Sequence, residues 1–167
     1  MTRLRIALLI MSAILLPLVS AFAQEAGVVL SGKDLTRVVP NSFYYVGQSA
    51  PTQLRNTAAA RFGTNRFVIV GMVDTSGYST DIQAKYQGFF ITDSPIAIGG
   101  SELGTGAYGF GFSEDKLNLF DVGGKPLLSV SSTKDSALKR PRPLMMTKAA
   151  DGVRLYSGRS YVVIAAK

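Results

Sequence analysis

From residue 42 onward the chain alternates between short runs of β-branched or aromatic residues and breaks made of glycine, proline or charge. Side chains along a strand alternate faces, so each run reads as a strand and each break as a turn. Segment 42–47 carries Phe43, Tyr44, Tyr45 and Val46. Segment 66–74 is the most apolar, with Phe67, Ile69 and Val73 on one face and Val68, Val70 and Met72 on the other. A strand apolar on both faces is central or covered twice. Segments 89–92 and 96–98 follow, divided by Asp93-Ser94-Pro95. Runs at 107–112, 117–122 and 127–131 recur about every ten residues, and 144–147, 153–156 and 160–165 close the chain, a spacing typical of antiparallel sandwiches and barrels. Residues 24–32 read as a frayed start or a first edge strand, 48–51 as a loop and 53–56 as an edge strand. Helical patterning is confined to two places. Thr80-Asp81-Ile82-Gln83 has a capping-box arrangement with Gln83 placed to reach back to Thr80, and predicts a helix to about residue 86. Residues 135–140 can form one turn before Pro141 stops it. The pattern as a whole predicts a single all-β antiparallel domain of about eight to ten strands. A small barrel or a curved β-sandwich would satisfy it, with one or two short helices. The barrel is preferred because glycines interrupt several strands, as closing a sheet requires.

The first residues change the picture of where this domain works. Arg3 and Arg5 precede an apolar run over 6–19, and Ala21-Phe22-Ala23 follows with small residues at the positions a signal peptidase needs. The expectation is a secretory signal peptide over 1–23, cleaved after Ala23, leaving 24–167 as one periplasmic or secreted domain. The run is shorter than the roughly 20 residues a membrane-spanning helix needs, and no second run approaches that length. With 18 basic and 11 acidic residues the formal charge is +7, and loss of the two leader arginines leaves +5. That bias suits loose attraction to anionic envelope surfaces and gives no ground for a nucleic-acid partner. The chain has no cysteine and no histidine. Disulfides, thiolate nucleophiles, imidazole bases and His or Cys metal sites are therefore excluded, and neither cofactor nor metal is expected.

Several motifs invite chemistry and are better read as structure. Gly104-Thr105-Gly106-Ala107-Tyr108-Gly109 has the spacing of a dinucleotide fingerprint, but Phe110-Gly111-Phe112 continues a strand where that motif requires a helix. Ser131-Ser132-Thr133-Lys134 matches a Ser-x-x-Lys nucleophile without its companion motifs. In Tyr108-Gly109-Phe110-Gly111-Phe112 three aromatics share one face and two glycines leave the other bare. This strand belongs either to the core, with a neighbour packed over the glycines, or to the wall of a ligand cavity. A cavity would be lined by Tyr108, Phe110 and Phe112, joined by Tyr44 and Phe67. Asp74 leaves the end of the most apolar strand and is the loop candidate for a catalytic or binding role. Glu114-Asp115 reads as a hairpin tip and Asp93 as a turn former. Lys139-Arg140-Pro141-Arg142-Pro143 is a compact basic, proline-rich stretch, an exposed connection or a docking site for an acidic partner through Lys139, Arg140 and Arg142.

The segment Ile96-Ala97-Ile98-Gly99-Gly100-Ser101-Glu102-Leu103-Gly104-Thr105-Gly106-Ala107-Tyr108 resembles a hairpin found in several exported bacterial β-domains. With Asp74-Thr75-Ser76-Gly77-Tyr78 and Lys85-Tyr86-Gln87-Gly88, the mature chain resembles uncharacterised exported all-β proteins of soil bacteria. That resemblance implies an exported β-fold and brings no activity or site residues with it. The expected function is a non-enzymatic binding or interaction domain of the envelope, holding a small apolar or aromatic ligand. The alternatives are a structural envelope protein acting through protein–protein contacts and a carboxylate-dependent hydrolase using Asp74.

Overall fold

Apolar runs become strands here, and the turn residues between them decide which strands meet. The computed structural model describes residues 26–167, so the signal-peptide reading of 1–23 lies outside the described residues. The chain runs β1 (Val28–Val29), α1 (Gly32–Val38), β2 (Ser42–Tyr45), β3 (Gln48–Phe62), β4 (Arg66–Val73), α2 (Thr80–Gln83) and β5 (Gly88–Thr92). It continues with β6 (Ile96–Ile98), β7 (Ser101–Leu103), β8 (Gly106–Ser113), β9 (Lys116–Phe120), β10 (Pro126–Ser131) and β11 (Thr133–Lys134). The last three strands are β12 (Arg142–Ala149), β13 (Gly152–Gly158) and β14 (Ser160–Ala166).

All pairings are antiparallel and build two sheets. The larger follows the order β1-β3-β4-β5-β8-β9-β10, with β2 also paired to β3. The smaller follows β12-β13-β14-β6-β7, with β11 also paired to β14. Two-residue turns set the register of two hairpins. Gly99-Gly100 joins β6 to β7 with φ of +53° and +84°, and Glu114-Asp115 joins β8 to β9 with φ of +50° and +56°. Positive φ at both turn positions matches the right-handed twist of the flanking strands.

The two sheets face each other across one apolar core. Ala58, Ala60 and Phe62 of β3, Val68 and Val70 of β4, Phe90, Phe110, Leu117 and Leu119 come from the larger sheet. Ile96, Ile98, Leu144, Met146, Val153, Leu155, Val162 and Ile164 meet them from the smaller one. Burying each large side chain stabilises the fold by about 1.5–3 kcal/mol relative to exposure. A second cluster lies on the outer face of the larger sheet, where Phe43, Tyr45, Tyr78, Tyr86 and Phe89 pack with Val39, Val73 and Phe120. The two-sided apolar pattern of β4 now has its explanation: Val68 and Val70 enter the first core, Ile69 and Val73 the second. Among the described residues no helix is long and apolar enough to cross a membrane.

The all-β antiparallel expectation holds, in its sandwich form: among the described residues both sheets are open and no barrel closes. Glycines expected to bend a closing sheet instead admit neighbours. A Cβ on Gly109 would strike the Tyr45 ring, and one on Gly111 the carbonyl oxygen of Lys85. The strand count exceeds the expected eight to ten. Very short strands such as β1 and β11 add to it, and so does a different division of residues 48–62. Residues 48–51, expected as a loop, and 53–56, expected as an edge strand, belong with 57–62 to one long strand, β3, with a register shift between Thr52 and Thr57. Alanine and asparagine carry little strand propensity, so here pairing on both sides overrides composition. The helix α1 has no counterpart in the expected pattern. α2 exists, but its N-cap is Ser79 and no side chain caps it; the Gln83 amide donates to the Tyr78 carbonyl (2.7 Å) rather than reaching Thr80. Residues 135–140 form turns without a helix.

Candidate functional site

The chain between β11 and β12 is short, exposed and firmly held. Asp135 organises it: Oδ1 accepts the N–H groups of Ala137 and Leu138 (3.1 Å each), and Oδ2 accepts the Tyr156 hydroxyl proton (2.9 Å). The Asp135 N–H donates to the carbonyl of Arg159 (2.8 Å). Arg159 in turn donates from Nη1 to the carbonyls of Ser136 (3.1 Å) and Leu138. These bonds latch the loop onto the β13–β14 turn, where Gly158 takes φ +60°. Pro141 and Pro143 then fix φ on either side of Arg142.

Four cations flank or follow the latched residues 135–138: Lys134 at the end of β11, Lys139 and Arg140 on the loop, and Arg142 at the start of β12. Lys134, Lys139, Arg140 and Arg142 are all exposed, and among the described residues none of them forms an ion pair. Asp135 is the only carboxylate between Asp121 and Asp151, and three hydrogen bonds already occupy it. Beside these cations, on the outer face of the smaller sheet, the Arg154 guanidinium lies 4.7 Å from the centre of the Tyr161 ring. Tyr161 in turn packs against Tyr156 with ring centres 5.1 Å apart. This cation–π contact orients Arg154 while keeping its charge.

Of the aromatic residues expected to line a ligand cavity, Tyr108, Phe110 and Phe112 share the inner face of β8 and pack into the core between the sheets, while Tyr44 and Phe67 lie elsewhere. Phe110 is fully buried between the sheets, and Phe112 is half-buried and edge-on to it (6.3 Å). Tyr108 is half-buried, its hydroxyl donating to the Gly104 carbonyl (3.0 Å) and held above the ordinary tyrosine pKa by burial. Tyr44 points outward from β2 and is 58% exposed, and Phe67 lies beside β1 and α1. Gly104–Gly109 carries the chain from β7 into β8 with no helix, and Lys134 stands in β11, so neither motif has its required context.

The carboxylates serve turns. Asp74 is exposed and its Oδ1 accepts the Ser76 N–H (3.0 Å), a hydrogen bond that holds its carboxyl below the usual range. Asp93 accepts the Phe67 N–H (2.7 Å), and Asp121 accepts those of Gly123 and Lys125 (2.9 Å each). Among the described residues no three acidic side chains gather as a metal site would need.

Sequence reasoning found the basic stretch and missed its latch. Tyr156, Arg159 and Arg154 lie on strands or turns distant from residue 135 in the chain, and only the tight Ser157-Gly158-Arg159 connection marks that region in the sequence. No family model, curated protein or solved structure matches this chain.

Proposed function

We propose that this protein is an exported envelope domain that works by binding, and that the ridge 134–142 docks the acidic surface of a partner protein. The observation carrying this reading is the set of four exposed cations, without ion pairs among the described residues, on and beside a loop pinned by Asp135 and Arg159. A surface charge pair contributes only about 0.2–1 kcal/mol, so a single one would not make a site. Several cations on a preorganised backbone act together, because less side-chain and loop freedom is lost on binding. Such a patch also steers an acidic partner and speeds encounter. The leader-like sequence before residue 24 is the ground for placing this activity in the envelope. Commitment of Asp74, Asp93, Asp121 and Asp135 to backbone N–H groups supports binding over hydrolysis.

The test uses poly-glutamate as the acidic probe and calorimetry as the readout. Wild-type protein should bind it in low salt, with affinity falling steeply as salt rises. Substitutions Lys139→Gln, Arg140→Gln and Arg142→Gln together should lower the affinity at least tenfold with the fold intact. Equal affinity in the variant would remove the ridge from the account. Tighter binding to a non-peptide polyanion such as polyphosphate would replace the protein partner with an anionic polymer.

A further inference from the structure

The last strand of an open sheet presents unpaired backbone groups, on which another strand adds unless brevity, charge or proline prevents it. In the smaller sheet, β7 has three residues with Glu102 paired to Lys167, and β12 carries Arg142, Pro143 and Lys148. At one end of the larger sheet β1 has two residues and β2 four. The opposite end is β10, six residues from Pro126 to Ser131 without a charged side chain. It pairs with β9, and among the described residues no backbone hydrogen bond reaches it from the other side. Its guards, Pro126 and a bulge at Leu127, occupy the first two positions and leave Leu128 to Ser131 open. Leu127 is 48% exposed. A shallow recess of about 350 Å³ along the strand is lined by Leu119, Phe120, Pro126, Leu127 and Leu128, with two polar residues.

We infer that β10 pairs antiparallel with β10 of a second copy of this chain, joining two larger sheets across a two-fold axis. With the axis at Ser129, Ser129 faces its own counterpart and each Leu128 faces the Val130 of the other copy. Leu128 and Val130 both lie on the core side of the sheet, so this register keeps the faces matched. Charge argues for a second copy as the occupant. With 18 basic and 11 acidic residues, copies are disfavoured from meeting through their basic faces, and β10 adds no charge to the contact. Lys125 stands at one end of β10, where the Asp121 carboxylate is already turned to backbone N–H groups. The Glu114-Asp115 turn stands at the other end, two carboxylates beside the single Lys116. Lys134 has by then crossed to pair with β14 in the smaller sheet. Two-fold pairing brings the Lys125 of each copy level with the acidic turn of the other, so opposite charges meet twice. The contact does not draw on the ridge at 134–142 and is independent of its proposed docking role.

The test is sedimentation velocity of the protein recovered after export, over a wide concentration series. One strand pair makes a small interface, so wild-type protein should pass from monomer to dimer as concentration rises. Ser129 is exposed, and Ser129→Lys sets two lysines opposite each other at the axis. That variant should keep its β-sheet spectrum and associate at least tenfold more weakly. The chain has no cysteine, so Ser129→Cys supplies a single thiol that mild oxidation should join between copies. Thr64→Cys, on the exposed β3–β4 turn, should yield at least tenfold less covalent dimer. Neutralising Lys139, Arg140 and Arg142 should leave the dimer as it was. Equal crosslinking of the two cysteine variants, or a dimer that Ser129→Lys leaves intact, overturns the inference. So does a dimer lost on neutralising the ridge, which would place the contact there. A protein that stays monomeric also overturns it, and β10 amide shifts on adding an extended peptide of unrelated sequence would then make the occupant a foreign strand.

Discussion

The outer face of the larger sheet lies under a second layer of aromatic side chains, whereas the outer face of the smaller sheet carries a buried Tyr156 among half-buried Met145, Thr147, Arg154, Tyr161 and Val163, with no second cluster over them among the described residues. On the first face, Tyr45 and Tyr86 stack at 3.8 Å with an interplanar angle of 16°, and Tyr78 meets both edge-on. The Tyr78 hydroxyl donates to the carbonyls of Tyr45 (3.0 Å) and Gln48 (3.2 Å), tying the β2–β3 hairpin down. On the second face aromatic and cationic groups remain near the surface, next to a ridge with surplus charge. One face is committed to stability, and the other leaves its chemistry available. That asymmetry is why the binding surface is assigned to the ridge beside the smaller sheet.

The largest expected effect comes from the core that both sheets share. Phe110→Ala should lower unfolding free energy by about 3–5 kcal/mol, read from urea denaturation, because a fully buried ring leaves a cavity behind. A loss below about 1 kcal/mol would show that the residue lines an open pocket after all. Next comes the latch. Asp135→Ala removes the carboxylate from the Tyr156 hydroxyl and the Ala137 N–H and leaves the Leu138 N–H only its longer bond to the residue-135 carbonyl (3.4 Å), at an expected cost of about 1–3 kcal/mol. Amide exchange should accelerate at residues 136–138 more than in β9 or β10, and uniform acceleration would argue against a local latch.

The covered face makes a pH-dependent prediction. Among the described residues the buried Tyr86 hydroxyl forms no hydrogen bond of good geometry, and burial, followed by the neighbouring Tyr78 and Tyr45, raises its pKa above the ordinary value of 10.0. Below that value both folded and unfolded chains hold the proton. Above it the unfolded chain releases a proton that the folded chain retains, so stability must fall as pH rises from about 10, by at most about 1.4 kcal/mol per pH unit for one group. Tyr86→Phe should change neutral-pH stability by less than about 1 kcal/mol, since it removes a hydroxyl without a well-formed hydrogen bond, and should flatten the alkaline decline. An unchanged alkaline slope would show that Tyr86 is not the group responsible. The smallest effect on stability belongs to the ridge: neutralising Lys139, Arg140 and Arg142 should shift unfolding free energy by no more than about 0.5 kcal/mol.

Sequence patterning conveyed the antiparallel all-β class, the two-sided burial of β4 and the Glu114-Asp115 hairpin tip, because each rests on residues close together in the chain. It did not reveal β3, whose Ala58, Ala59 and Ala60 are buried by the strands on either side rather than by their own preference for a strand. Nor did it reveal α1, a seven-residue helix that opens on Gly32 at φ +55° with no side-chain cap. The aromatic layer was equally hidden, since Tyr45, Tyr78 and Tyr86 come from separate segments and meet only when the hairpin folds back over the sheet. For the site, the basic stretch was legible as composition. Its rigidity depends on Asp135, Tyr156 and Arg159, which only the pairing of β11 with β14 brings together.

The most direct measurement of the central claim is an amide NMR map of the protein titrated with poly-glutamate at low and high salt. Shifts should be confined to residues 134–142 and the adjoining 157–161, vanishing as salt rises. Shifts centred on the aromatic layer at residues 43–45 and 78–86, or a ridge map that salt does not alter, would contradict it.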